Sequence, residues 1–229
     1  MAGIRNYCSS SAFPLRSEAD KMLVLSMGFS ILLTLVRMVY TEQLTFIFLV
    51  WNLFLAYLPY RLSAAMLQKP SLIANRWVCV LAGITWLLFI PNSFYLVTDL
   101  FHLGYHRGVP LWFDLVLIVS FAWNGLLLGI FSVRHMEKMV QQMWSQKNEL
   151  LFIYPVMLLN AVGVYIGRYL RFNSWDVITN PWALIGEMVA LFLHPVASLY
   201  AWGMIGCFSV LMTLLYLTIK RMITTPVAG

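Results

Sequence analysis

The sequence predicts an all-α polytopic membrane protein, a bundle of about six transmembrane helices with both termini cytoplasmic. Three observations predict it. The 229 residues are 61% hydrophobic and 10% charged, with mean hydropathy +0.80. Soluble domains run near about 45–50% apolar and about 25% charged, so too little polar surface is present to cover a globule in water. Six apolar runs also reach the roughly 20 residues needed to cross the hydrocarbon core of a bilayer. Finally, lysine and arginine concentrate in alternate connections, eleven on one side and four on the other.

The polar tail 1–21 carries Arg5, Arg16 and Lys21. The run 22–40 that follows ends Val39-Tyr40-Thr41-Glu42 without a small-x-small cleavage site, so it reads as an uncleaved anchor. It opens a single six-helix transmembrane domain over 22–219. The second and third runs, 44–66 and 77–99, are joined by a connection with Arg61, Lys69 and Arg76. Run four covers 111–132. The connection 134–149 then places Met136, Met139, Val140, Met143 and Trp144 at helical spacing, as an amphipathic helix in the cytoplasmic interface would. Run five, 150–170, carries Gly163-x-x-x-Gly167, a small pair that lets a neighbouring helix approach closely within the chain or in a dimer. Asn180-Pro181 starts a run to about 193 that is too short to span, expected as a surface or re-entrant helix. Run six is 195–219, before the tail 220–229 with Lys220 and Arg221. Pro59, Pro91 and Pro155 predict kinks inside runs two, three and five.

Basic residues are retained on the cytoplasmic side, which sets both termini there. The net charge of +6 follows from these loops and does not indicate a nucleic-acid partner. Cys8, Cys79 and Cys207 form no pair with disulfide or metal spacing. A soluble enzyme, a DNA-binding domain and a disulfide-stapled secreted module are excluded.

Three of the four histidines, His102, His106 and His194, fall on the outer side with few lysines; His135 alone lies inside. The outer end of run three is the most informative segment. At about 100° per residue, Asn92, Tyr95, Asp99, His102 and His106 fall within an arc of about 80° if the helix continues past Gly104. Such a polar stripe faces the bundle interior and not lipid. Asp114 opens run four, with Asn124 about 15 Å further along. Arg168 and Arg171 close run five, and Asn173, Asp176 and His194 follow.

Two chemistries fit a pocket built from these groups. Asp99, His102 and Asp114, with His106 or His194, are oxygen and imidazole ligands suited to Zn²⁺, Mn²⁺ or Fe²⁺. Alternatively, an Asp–His pair is a general base without metal. In either case Asn92, Tyr95 and Asn124 line the substrate, and Arg168 and Arg171 clamp a phosphate or carboxylate. The expected substrate is an anionic lipid or lipid-linked molecule at the outer face of the membrane, handled by a hydrolase or transferase. The plainer readings are an Asp99–Arg168 structural ion pair and hydrogen-bonded interface histidines. A non-enzymatic membrane subunit, receptor or small transporter is the alternative function. Run three below Asn92 is apolar apart from Thr85, which favours a dead-end pocket over a through-pathway.

The stretches WNLFLAYLPYRLS (51–63), WLLFIPNSFYLVTDLFHL (86–103), WFDLVLIVSFAWNGLLLG (112–129) and GRYLRFNSWDV (168–177) resemble the bacterial membrane family called domain of unknown function 1361. The resemblance covers roughly residues 45–218. It implies a small multipass protein of the bacterial cytoplasmic (inner) membrane and carries no activity. Its motifs include Asn92, Tyr95, Asp99, His102, Asp114, Asn124, Arg168 and Arg171.

Overall fold

The computed structural model describes residues 18–69, 75–104, 108–144, 148–172, 176–193 and 198–224. His106, Asn173 and His194 lie outside them. Among the described residues all regular structure is helical. The helices are α1 (Glu18–Thr41), α2 (Ile47–Gln68), α3 (Arg76–Phe89), α4 (Pro91–Thr98), α5 (Leu111–Trp144), α6 (Leu150–Arg168), α7 (Asp176–Thr179), α8 (Pro181–Leu193) and α9 (Leu199–Thr224). A 3₁₀ turn, Asp99–His102, follows α4 directly.

Six stretches are long and apolar enough to cross a membrane: Asp20–Thr41, Ile47–Gln68, Arg76–His102, Leu111–Met143, Leu150–Arg168 and Leu199–Ile223. Large apolar side chains line their outer faces. Trp77, Leu81, Ile84 and Leu88 are exposed along α3, and Trp112, Leu115, Val119 and Trp123 along α5. Surface of this extent is covered by lipid in a multipass protein. The chain is such a protein and contacts the bilayer through these faces.

The third span is two helices and a tightened turn. Pro91 has no N–H to continue α3, so it takes the first position of α4, where that donor is not needed. Pro59 and Pro155 lie inside α2 and α6. Helix α5 is the central strut: α1, α2 and α4 all pack on it, while α4 also packs on α2 and α6, and α6 on α9. The α4–α5 contact is backbone-close. A Cβ at Gly125 would lie 2.5 Å from the Ser93 carbonyl oxygen, and one at Gly129 2.9 Å from the Phe94 ring.

Residues 134–144, expected as a separate interfacial helix, continue α5 instead. Met136 and Met139 join the main core with Ile153, Met157, Ile205 and Tyr216. Met136, Met139 and Val140 of the amphipathic stripe therefore face protein, while Met143 is exposed. Glu137 beside them is held by Tyr216 Oη and Lys220 Nζ, both donating at 2.6 Å. Residues 145–147 lie outside the described chain. Gly163 and Gly167 serve packing within the chain: a Cβ at Gly163 would meet Pro91 at 2.6 Å, and one at Gly167 would meet the Tyr95 ring at 3.3 Å.

The contacts Tyr60–Asp20, Ser63–His135 and Lys220–Glu149 gather helix ends at one end of the bundle. The opposite end holds the 3₁₀ turn and the last residue of α6.

Candidate functional site

Tyr95 projects from α4 one turn before the 3₁₀ turn that carries Asp99 and His102. In a 3₁₀ helix residues i and i+3 eclipse, so the two side chains stand one above the other. The His102 Nε2 to Asp99 Oδ1 distance is 4.0 Å. Asp99 is fully buried. Its Oδ2 accepts from Asn52 Nδ2 of α2 at 3.1 Å, and its Oδ1 accepts from Arg168 Nη1 at 3.4 Å. Arg168 closes α6, where a cation also suits the negative end of the helix dipole.

The Arg168 contact is loose. Nη1 faces three acceptors at once: Asp99 Oδ1 at 3.4 Å, Tyr95 Oη at 3.4 Å and His102 Nε2 at 3.0 Å. One guanidinium nitrogen carries two hydrogens, so three acceptors cannot all be served well. Among the described residues no hydrogen bond reaches Nη2 or Nε of Arg168. The guanidinium lies over Phe101, 5.3 Å from the ring centroid, and 5.8 Å from that of Tyr95. Because a guanidinium only donates, His102 Nε2 is the acceptor and the ring proton belongs on Nδ1. The edge of the His102 ring rests on Phe48, with centroids 5.1 Å apart.

Asn52 and Tyr95, which hold Asp99 and Arg168, also line a cavity of about 310 Å³. Asn92 is the third polar residue of that wall; the rest is apolar, supplied by α2, α3, α6 and α8. Beyond α6 the backbone enters the left-handed region at Arg171 (φ 59), an uncommon conformation for a residue with a side chain. That turn brings the Phe172 amide back to the Ile166 carbonyl and the Phe172 side into the cavity lining.

The other expected site residues sit elsewhere. Asp114 is paired with Arg37 of α1: Nε donates to Oδ1 at 2.7 Å and Nη2 to Oδ2 at 3.2 Å, both side chains buried. Asn124 is buried against α1, where its Nδ2 donates to Ser30 Oγ at 2.9 Å and to the Ser120 carbonyl at 2.8 Å. Arg171 is exposed and makes no hydrogen bond or ion pair among the described residues. His106 and His194 fall outside them. Asn92 donates to the Phe89 carbonyl at 2.9 Å.

Among the described residues no three His, Cys, Asp or Glu side chains come together as ligands for a metal. Asp99 and Asp114 each face an arginine, and a guanidinium beside a carboxylate repels a divalent ion. Among the described residues, each carboxylate expected to hold a metal is therefore occupied by a guanidinium, and His106 and His194 lie outside them.

A family model described as "Protein of unknown function (DUF1361)" matches residues 51–217. The chain belongs to this family. The match takes in Asn52, Tyr95, Asp99, His102 and Arg168, and leaves Arg37 and the rest of α1 outside it. No curated protein and no solved structure matches the chain.

Sequence reasoning missed Asn52 and the role of Arg37. Each carried a signal: a polar residue inside an apolar span needs a partner. An arginine near the end of run one therefore called for a carboxylate such as Asp114.

Proposed function

We propose that this protein acts on an anionic lipid or lipid-linked substrate at the outer face of a bacterial cytoplasmic membrane, with Arg168 holding the anionic group and His102 and Asp99 carrying proton transfer. The observation that carries the reading is the incompletely bonded Arg168 guanidinium beside the polar wall of the cavity. An anion accepting from Nη2 and Nε would complete the fork in the bidentate geometry that suits phosphate or carboxylate. It would also draw Nη1 away from His102 Nε2. With a phosphoryl centre bound, an attacking hydroxyl gives its proton to that lone pair as the new O–P bond forms. The bond to the leaving oxygen breaks, and His102 returns the proton to it. Asp99 keeps the field around the ring negative and is itself held by Asn52. The orientation rests on Arg61, Lys69, Arg76, Arg134, Lys138, Lys220 and Arg221, which belong to the opposite end of the spans.

A second reading, binding without chemistry, is favoured by one contact: His102 Nε2 already faces Arg168 at 3.0 Å. Complementation of a deletion strain separates the two. The enzyme reading expects Arg168→Gln, His102→Ala and Asp99→Asn all to fail at normal membrane levels. The binding reading expects only Arg168→Gln to fail. Full complementation by all three variants would overturn both.

A further inference from the structure

We propose that the cavity beside Arg168 is a binding site for a single lipid hydrocarbon chain, admitted sideways from the bilayer between α2, α3 and α6 and closed over by α8. The inference deepens the proposed function and rests on it only for the charge of the headgroup.

The cavity is amphipathic along its length. Asn52, Asn92 and Tyr95 form its polar end, directly in front of Asp99 and Arg168. From Gly167 down to Leu159 the residues of α6 that line the cavity are all apolar, over about 12 Å of helix. A water-soluble anion would have no use for that length, whereas a lipid tail matches it.

The mouth faces hydrocarbon. Trp51, Leu88 and Leu159 line the cavity and are 53%, 39% and 50% exposed. Leu88 and Leu159 sit near the middle of their spans, Arg76–His102 and Leu150–Arg168. An opening at that depth meets acyl chains, not water. The lining also explains two glycines. Gly163 is in contact range of Pro91, and a side chain there or at Gly167 would invade both the α4 contact and the cavity.

Helix α8 provides the cover. Its 13 residues are too few to cross a bilayer, and Leu184 and Met188 complete the cavity wall. Trp182, Ile185, Val189 and Phe192 turn outward. The C-terminal end of α8 is tied to α9, where Trp202 Nε1 donates to the Leu191 carbonyl at 3.2 Å and Phe192 meets the Trp202 ring edge-on.

The test uses full-length protein in phosphatidylcholine vesicles with two photoactivatable probes. One is phosphatidic acid with a diazirine in one acyl chain; the other is diacylglycerol with the same chain. Cross-linked positions are mapped by peptide mass spectrometry. The proposal expects labelling at Leu55, Leu184 or Met188 at least fivefold above that at Leu81 and Val119, which face lipid elsewhere. Excess unlabelled phosphatidic acid should abolish the cavity signal and spare the reference positions. Val162→Phe, which fills the cavity from its wall, should remove the excess. Labelling of the cavity that merely equals the reference positions, or that resists competition in wild-type protein, overturns the proposal without any variant having to fold. The headgroup reading is tested separately. If diacylglycerol labels the cavity as strongly as phosphatidic acid and Arg168→Gln changes neither, the chain site stands and the anionic substrate falls.

Discussion

Two arginine–aspartate pairs occupy the same end of the bundle and differ in geometry and surroundings. Arg37 and Asp114 form a two-point fork between α1 and α5, at 2.7 and 3.2 Å, both about 1% exposed. Phe46 covers the guanidinium, 4.4 Å from its ring centroid. Arg168 and Asp99 touch through one nitrogen at 3.4 Å, share it with Tyr95 and His102, and stand behind the wall of a cavity. Neither guanidinium is fully bonded, since Arg37 Nη1 is buried without a hydrogen-bond partner among the described residues. The first pair is sealed by packing, whereas the second stands beside a cavity. The two carboxylates look alike in sequence, and incomplete bonding is common to both arginines; what sets Arg168 apart is the empty volume beside its Tyr95 contact.

That contrast makes predictions, and the largest concerns the sealed pair. Asp114→Asn should destabilise the protein by about 3–5 kcal/mol, because it strands a buried guanidinium. Thermal unfolding in detergent reads this, and Arg37→Met combined with Asp114→Leu should recover much of the loss. An Asp114→Asn variant as stable as wild type would erase the distinction between the pairs.

Arg168→Gln is the mirror experiment. It should cost less stability than Asp114→Asn, because the Arg168 contact is long and Asp99 keeps its hydrogen bond from Asn52, and it should weaken retention of phosphatidic acid roughly 10- to 100-fold, the worth of one charge-assisted contact at about 1.5–3 kcal/mol. A large loss of stability with unchanged retention would make Arg168 a second Arg37.

Gly125→Val sharpens the comparison by disturbing the scaffold that both pairs share. Its Cβ would collide with the Ser93 carbonyl at 2.5 Å, so α4 and α5 must separate. The expected cost is about 1–3 kcal/mol. Loosening of α4 should reach Tyr95 and Asp99 before it reaches Asp114.

The smallest effect lies at the opposite end. There Lys220 bridges Glu137 and Glu149, and Arg221 donates to Glu149 at 2.9 Å. The hydrogen bond from Lys220 holds the Glu149 carboxyl below its ordinary range, opposed in part by burial. A depressed carboxyl stabilises the folded state above its unfolded pKa, and that contribution is lost as pH falls through the folded value. Glu149→Gln should therefore flatten the acid side of the stability profile, by under about 1 kcal/mol for so accessible a pair. No change in the acid limb would show that the network adds nothing there.

Part of the candidate site is legible in the sequence. The wheel through Asn92, Tyr95, Asp99 and His102 placed them on one face, and Arg168 at the end of a neighbouring run was a reasonable partner. The wheel assumed a uniform helix, yet the last turn is 3₁₀. The stripe survives because i and i+3 stay aligned in both geometries. The sequence groups Asp114 with Asp99 because both lie at the same ends of their runs, but the partner of Asp114 comes from α1, as Arg37. The pair Gly125-x-x-x-Gly129 lay in plain view beside the better-noticed Gly163 and Gly167, and it marks the closer contact.

By itself, the sequence determined that the chain is all-helical, crosses the membrane with six spans and carries a polar face on the third. These follow from local quantities: run length, hydropathy and angular period along one helix. The tertiary structure decided which arginine meets which aspartate, that residues 134–144 extend α5, and that a cavity opens beside Arg168. Those depend on the order in which helices pack around α5. A helix presents its polar face identically to any neighbour, so one strand of sequence holds the direction of each side chain but not the identity of what it meets.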